Sequence, residues 1–442
     1  NDCDEWIDDE DPDITDASTW YIDYDNDGFG SSDYTLDACD QPSGYVDTDT
    51  DCDDTEAEAY PGGTEVCDDI DNDCNGSVDD GLDCEEEEPE DTGESEDTGE
   101  EEEEEESDWG EYSAEDCDGV DTGTLVIFSN DDADIFCGCG FTTVGNVYIN
   151  ATSTGPVDLS CIEEITGYLE MENSQSVDVD MSGLESVEDE VNIHDNDGLL
   201  TVDLSVLTTV GDYLYVTNND ELISVDLQSL ESVDGLLYIY NSDNLEEINL
   251  DGLRTVGSSF NVSNNQVLEE LSVPTLEEVD GSFQVESNDE LVEISAVSME
   301  SVEGTIYVYY NYDLEVLDLS GLVEAASSLY IQYNTVLEEV NMVNLDSVAS
   351  TLYIYENESL ETLDMSNLTE IEGGFYLSYN DDLAELNLNS LVEISGELYF
   401  YDNDDLETIS MPALDEIGSS MMVSYNDGLL ELSAPAMTQL GS

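Results

Sequence analysis

Between Trp20 and Asp80 the carboxylates follow a short repeated spacing. Asp23, Asp25 and Asp27 stand two residues apart and are followed by Gly28. Alternate carboxylates ahead of a residue that permits a sharp turn let one loop wrap a hard cation, with oxygens at its first, third and fifth places. A Ca²⁺ loop of the EF-hand kind would close with Glu at its twelfth position, which here is Tyr34, so closure falls to Asp33 or Asp37. A second cluster, Asp47, Asp49, Asp51, Asp53 and Asp54, surrounds Cys52. A third, in "DIDNDCNGSVDDG", offers Asp71, Asp73 and Asn75 ahead of Gly76, then Asp79 or Asp80. Ligation by oxygen alone favours Ca²⁺ over copper or zinc, and several bound Ca²⁺ ions are expected. The plain alternative is that these carboxylates are merely solvated; the spacing and the interleaved cysteines weigh against it.

No other chemistry is visible. His194 is the only histidine, falls one residue before a chain corner, and has no nucleophile partner in the sequence; there is no glycine loop of phosphate-binding form. The chain is therefore expected not to be an enzyme. Its 116 Asp and Glu face one basic residue, Arg254, for a net charge of −115. Without a basic patch it has no means of holding nucleic acid or an anionic membrane. Self-repulsion on this scale calls for bound or condensed cations, and adaptation to a saline medium is the plain explanation of the charge.

The elements that must position these groups differ along the chain. All ten cysteines lie between Cys3 and Cys161, in its irregular part. An even count there reads as disulfides stapling what lacks a core, in an oxidising, extracellular setting. Zinc at Cys137-Gly138-Cys139 is the rival, but no second pair at ligand spacing accompanies it. The chain starts at Asn1 and contains no apolar run of about 18 residues. A secreted or cell-surface protein without a transmembrane segment, its signal segment removed, is the expectation. Residues 1–84 form the cysteine-containing acidic module, 85–107 a Glu-rich extended linker, 108–161 an N-terminal cap with the first irregular coils, and 162–442 a repeat.

In that repeat Asn196, Asn219, Asn265, Asn288, Asn311, Asn334, Asn357, Asn380, Asn403 and Asn426 are spaced by 23 residues or, across Ser242, by twice 23; Ser174 lies 22 before the first. A fixed period of this length marks a solenoid whose coils bury their apolar side only against one another. Leu360, Leu363, Met365, Leu368, Ile371, Phe375 and Leu377 are the inward set of one coil. Short alternating runs split by Gly and Asn read as brief strands, with no helical period, so the fold class is an all-β solenoid of about twelve coils. Asn suits the corner because its amide donates and accepts at once and can bond along the stack. Ser174 and Ser242 should be weak rungs.

Alternation also sets a face. Four residues before the corner stand Tyr215, Tyr238, Tyr307, Tyr330, Tyr353, Tyr376 and Tyr399; two before it stand Tyr240, Tyr309, Tyr355 and Tyr401. These rings should stack outward in two columns, either only stabilising the sheet or also making a contact surface for polysaccharide, a surface protein or another copy. The sequence stops at "APAMTQLGS", in mid-repeat, which suggests that a further segment or another molecule completes the last coil. Self-association into an oligomer or fibre through the solenoid ends or the N-terminal module is thus the first functional expectation, and adhesion through the tyrosine face the second.

Two resemblances add to this. The repeat, in stretches such as "IEEITGYLEMENSQSV" from Ile162 and "LVEISGELYFYDNDDLETI" from Leu391, resembles the receptor L domain over about 124–442. That likeness implies a right-handed, leucine-rich-repeat-like β-helix and says little about ligand. The segment "DCDDTEAEAYPGGTEVCDDIDNDCNGSVDDG" resembles the MopE-type metal-binding motif of secreted bacterial proteins, and the loop at Asp23 is similar to thrombospondin type 3 Ca²⁺ repeats, together over about 20–84.

Overall fold

The computed structural model describes residues 18–22, 29, 31–38, 45–46, 48, 50, 59, 61, 74 and 123–441 except 153 and 154. The chain divides into two units, Asn1–Glu106 and Ser107–Ser442. In the first, strand Ser18–Ile22 pairs antiparallel with Ser31–Ala38 on one side and Tyr45–Val46 on the other. The segment carrying Asp23, Asp25 and Asp27 joins the first two strands and lies outside the described residues, as does the Glu-rich segment 85–107.

The second unit is a parallel β-solenoid. Each regular coil contributes a three-residue strand, a two-residue strand and a four-residue strand, as in Thr362–Asp364, Glu370–Ile371 and Phe375–Ser378. The two- and four-residue strands each stack into a fourteen-stranded sheet. Pairing is in register at one repeat, so Leu352 lies against Phe375, Tyr353 against Tyr376, Ile354 against Leu377 and Tyr355 against Ser378. At the usual strand separation, fourteen rungs give a stack about 60 Å long. Rungs this close leave no space for side chains where backbones meet: a Cβ on Gly396 would sit 2.6 Å from the backbone of Gly373.

The inward set named from the sequence is the core. Leu360, Met365, Leu368, Ile371, Phe375 and Leu377 are fully buried, and Leu363 is nearly so. Each such side chain contributes about 1.5–3 kcal/mol of transfer free energy, and a coil obtains this only when its neighbours cover it. The three-residue strands are less continuous. They form sheets of five, six and two strands, with breaks between Glu247–Asn249 and Glu270–Ser272 and between Glu385–Asn387 and Thr408–Ser410. Leu386, beside the second break, is only half-buried.

The asparagine ladder forms as its chemistry requires. Asn265, Asn288, Asn311, Asn334, Asn357, Asn380 and Asn403 are fully buried, and Asn426 half-buried. From Asn288 onward the Oδ1 of each accepts the backbone N–H and the Nδ2 of the preceding rung; for Asn334 these distances are 3.1 and 3.4 Å from Asn311. Its own Nδ2 donates back to the Val308 carbonyl at 2.9 Å. Asn196 and Asn219 are joined likewise at 2.8 Å. Ser242 keeps part of the scheme: its Oγ accepts the Asn219 N–H at 3.3 Å, and its N–H donates to Asn265 at 3.2 Å. Ser174 likewise donates its N–H to Asn196 at 2.9 Å.

Two features depart from the sequence reading. The stack has fourteen rungs and not twelve, because the irregular coils expected within 108–161 add two strands with no corner Asn, Thr124–Ile127 and Asn146–Ile149. Between them lies a ten-residue helix, Asn130–Cys139, in a unit otherwise read as all strand. It buries only Ala133 and Phe136, one turn apart, and ends at Gly140 in the left-handed region with φ 78°. The helix packs on the first strand and on Val157–Asp158. A disulfide from Cys137 to Cys161 ties it to the next coil. Cys139 is disulfide-bonded as well, which removes zinc from Cys137-Gly138-Cys139.

Candidate functional site

The outward positions of the four-residue strands carry the tyrosines. In these strands buried and half-buried residues alternate, so Leu352 and Ile354 point inward while Tyr353 and Tyr355 lie on the outer face. The sequence-derived positions fall into two groups. Tyr215, Tyr238 and Tyr240 sit near the start of the stack, joined there by Tyr213, whose ring centroid is 4.2 Å from that of Tyr215. Tyr307, Tyr309, Tyr330, Tyr353, Tyr355, Tyr376, Tyr399 and Tyr401 belong to a second, continuous group. The columns are interrupted by Asn261 with Ser263 and by Gln284 with Glu286, which occupy the tyrosine positions of two rungs.

Five further tyrosines enlarge the second group to thirteen: Tyr310, Tyr312, Tyr333, Tyr379 and Tyr425. Four of these occupy the residue immediately before the ladder Asn, where every regular coil turns with a positive φ. Tyr310, Tyr333, Tyr379 and Tyr425 have φ of 58°, 56°, 55° and 58°. Asn173, Asn218, Asn241 and Asn264 hold the same position in earlier coils at 49–55°. The left-handed region costs an ordinary L-residue about 1–2 kcal/mol, and Asn tolerates it through local hydrogen bonding. Tyr has no such relief. Its ring instead packs beside the column two residues before the corner: Tyr310 stacks on Tyr333 at 4.7 Å and 13°, and Tyr379 meets Tyr355 edge-on at 5.3 Å. Alternation counted back from the corner finds two columns and misses this third one, because the left-handed turn breaks the alternation.

Five phenols of this face are held above the ordinary phenol range. Burial pushes Tyr353 up, with neighbouring phenols and Glu356 adding to the effect. Tyr355 is raised by burial and by its hydrogen bond with Glu356. Burial also raises Tyr333 and Tyr376, helped by Glu356 and Glu397 respectively. In the first group burial, then Glu190, pushes Tyr213 up to about 12. The face therefore offers apolar rings edged with hydroxyl donors and bordered by carboxylates. Tyr425, with 64% of its surface exposed, is its most open member.

The candidate oxygen ligands of the N-terminal unit lie mostly outside the described residues: Asp23, Asp25, Asp27, Asp49, Asp51, Asp53, Asp71, Asp73, Asn75 and Asp79. The backbone of Asp33 is part of strand Ser31–Ala38. Within the same stretch Ala59 is fully buried, and Cys74 is disulfide-bonded with its sulfur 3.6 Å from the Ala59 carbonyl oxygen. His194, solitary in the sequence, acquires carboxylate neighbours from the adjoining rung.

A family model named Cu-binding MopE and described as "Putative metal-binding motif" matches residues 51–80. The match spans Asp51, Asp53, Asp71, Asp73, Asn75 and Asp79 and leaves out the loop at Asp23. No curated protein matches the chain.

Proposed function

We propose that this chain is a non-enzymatic, calcium-binding structural protein of the cell surface or extracellular matrix, whose solenoid presents the tyrosine face to a neutral polysaccharide. One observation carries the reading. At a corner where the fold is served by Asn, four coils place Tyr in the left-handed region. Backbone strain retained where a local remedy exists points to a demand from outside the fold. Rings with protonated hydroxyls match a sugar, which offers apolar C–H faces and hydroxyl acceptors. Face-to-face self-association fits less well, because it would bring two highly negative chains together. The metal-binding motif at 51–80 supports the calcium part, since oxygen ligands at alternate positions suit that ion.

The test replaces Tyr310, Tyr333 and Tyr379 together by Asn, the residue that earlier coils use at this corner. With about 1 kcal/mol for each ring contact, binding to neutral glycans on an array should weaken by roughly a hundredfold. The melting temperature should hold or rise as backbone strain is released. Unchanged glycan binding removes the face from function. A wild-type chain that binds no neutral glycan but dimerises, with the dimer lost in the triple variant, replaces the polysaccharide by a second copy.

A further inference from the structure

His194 is the single histidine of the chain, and the stacking of rungs gives it a ligand-like setting. It ends strand Val191–His194, directly opposite Glu172 of strand Leu169–Glu172, and Glu170 lies two residues back on the same outward face. Its Nε2 is 3.6 Å from Oε1 of Glu170 and 3.9 Å from Oε2 of Glu172. One ligand atom from each of the three side chains lies within 4.8 Å of the others. All three are sheltered, with side chains 21–32% exposed.

The surroundings set the orientation of these groups. Nδ1 of His194 is 3.0 Å from Oδ2 of Asp195. A carboxylate can only accept there, so Nδ1 carries a hydrogen and Nε2 is the ring nitrogen turned toward the two glutamates. On the preceding rung Tyr148 donates its hydroxyl to Oε1 of Glu172, which leaves Oε2 toward the imidazole. Asn150 in turn donates to the Tyr148 oxygen at 3.2 Å. Carboxylates alone mark nothing in this chain, where most rungs carry them. A nitrogen donor of fixed tautomer converging with two oriented carboxylates is different.

We propose that Glu170, Glu172 and His194 bind one divalent first-row transition ion of the Zn²⁺ or Cu²⁺ class. Nitrogen ligation sets this site apart from an all-oxygen calcium loop. Tetrahedral bonds of about 2.0–2.1 Å hold ligand atoms about 3.3–3.4 Å apart, so the histidine-to-glutamate distances need to close by about 0.2–0.6 Å. Three protein ligands leave the fourth position to water. Asp195 and Tyr148 act from outside the coordination sphere, the carboxylate–histidine–metal arrangement raising the basicity of Nε2. On binding, the ion displaces any proton on Nε2, which passes to solvent.

One imidazole in the whole chain makes the test direct. The intact chain, without a histidine tag and labelled with ¹⁵N-histidine, is titrated with Zn²⁺ in millimolar Ca²⁺ that occupies the oxygen sites. The Nε2 resonance should move with Zn²⁺ and saturate at one equivalent, and Ca²⁺ alone should leave it in place. Glu170→Gln with Glu172→Gln should raise the half-saturating Zn²⁺ concentration at least about tenfold. A Zn²⁺-insensitive resonance, or equal half-saturation in the double variant, overturns the proposal and leaves His194 as a surface imidazole beside carboxylates. Pulsed EPR of the wild-type chain with one equivalent of Cu²⁺ needs no variant: modulation from a coordinated imidazole supports the site, and its absence overturns it.

Discussion

Replacing Asn334 by Ala removes one amide from the middle of the ladder and should destabilise the solenoid by about 3–5 kcal/mol. The figure follows from the bonds lost. Oδ1 of Asn334 accepts the buried Asn311 N–H at 3.1 Å, and Ala leaves that donor without this partner; an orphaned buried donor costs about 1–3 kcal/mol. Nδ2 of Asn334 donates to Val308 at 2.9 Å and to Asn357 at 3.2 Å, two bonds worth about 1 kcal/mol each. Asn334→Ser separates the two contributions. Its hydroxyl can accept the Asn311 N–H as Ser242 accepts that of Asn219, so Ser should lose only the donated bonds, about 2 kcal/mol. The reverse change, Ser242→Asn, should stabilise by about 1–2 kcal/mol through new bonds from its Nδ2. Urea unfolding of the whole chain at fixed Ca²⁺ and salt measures the order. Hydrogen exchange at the Asn311 amide reads the site directly, since stacked repeats can open locally. Equal midpoints and equal Asn311 exchange for the Ala and Ser variants, or a loss of stability in Ser242→Asn, would refute the account of the ladder.

Two responses to pH follow from the outward groups. Tyr213, Tyr353 and Tyr355 are held above the ordinary phenol range. The unfolded chain therefore ionises first, near pH 10, and the stability these groups contribute is complete below that pH and lost as pH climbs through their folded values. Tyrosinate absorbance should show a late-titrating set that appears only with unfolding; a single titration near 10 with the fold intact would contradict this. Asp381 is raised by burial and then by Asp402, Asp404, Glu358 and Asp382, and Glu286 is raised by burial. The folded state takes up these protons before the unfolded state does, so stability should rise as pH falls through their values. The melting temperature should be higher near pH 5 than near pH 8, with the gain reduced in Asp381→Asn; a maximum at the higher pH would count against the assignment.

Much of the solenoid could be read from residue types because one coil's solution is every coil's solution. Leu at the inward places and Asn at the corner recur at 23 residues, and period alone identifies both. What escaped notice depends on geometry that period does not carry. The left-handed turn at Tyr310, Tyr333 and Tyr379 changes the direction of a side chain without changing its spacing. The meeting of His194 with Glu170 and Glu172 requires the register between rungs, which carries no trace within either strand alone. The helix Asn130–Cys139 buries too few residues to print an apolar stripe, and the first two rungs, legible only as irregular coils, lack the Asn that marks a corner. The oxygen-ligand loop at Asp23 rests on spacing alone and that at Asp71 on spacing together with the family match over 51–80, because those residues lie outside the described set.

In-register stacking has one consequence for a chain of this charge. It repeats carboxylates along the stack as faithfully as it repeats leucines: Glu370, Glu393 and Glu416 lie on successive rungs, as do Asp180, Asp203 and Asp226. Unit charges one rung apart repel by about 1 kcal/mol in water, less as salt rises. The aspartates recover part of this through bonds from the backbone two residues on, 3.0 Å for Asp180 and Asp203. Arg254, bonded to Glu277 at 2.7 Å, is the single Lys or Arg available to answer the rest. Screening by any cation should therefore stabilise the solenoid, whereas the calcium reading proposed for the N-terminal loops requires coordination that screening alone does not supply. NaCl and CaCl₂ at matched ionic strength should give similar solenoid melting temperatures, both above that in low salt. A protease cutting at acidic residues should attack the N-terminal unit faster after EGTA at constant ionic strength. Equal cleavage with and without EGTA would refute calcium loops and leave the N-terminal carboxylates as another part of the screened surface.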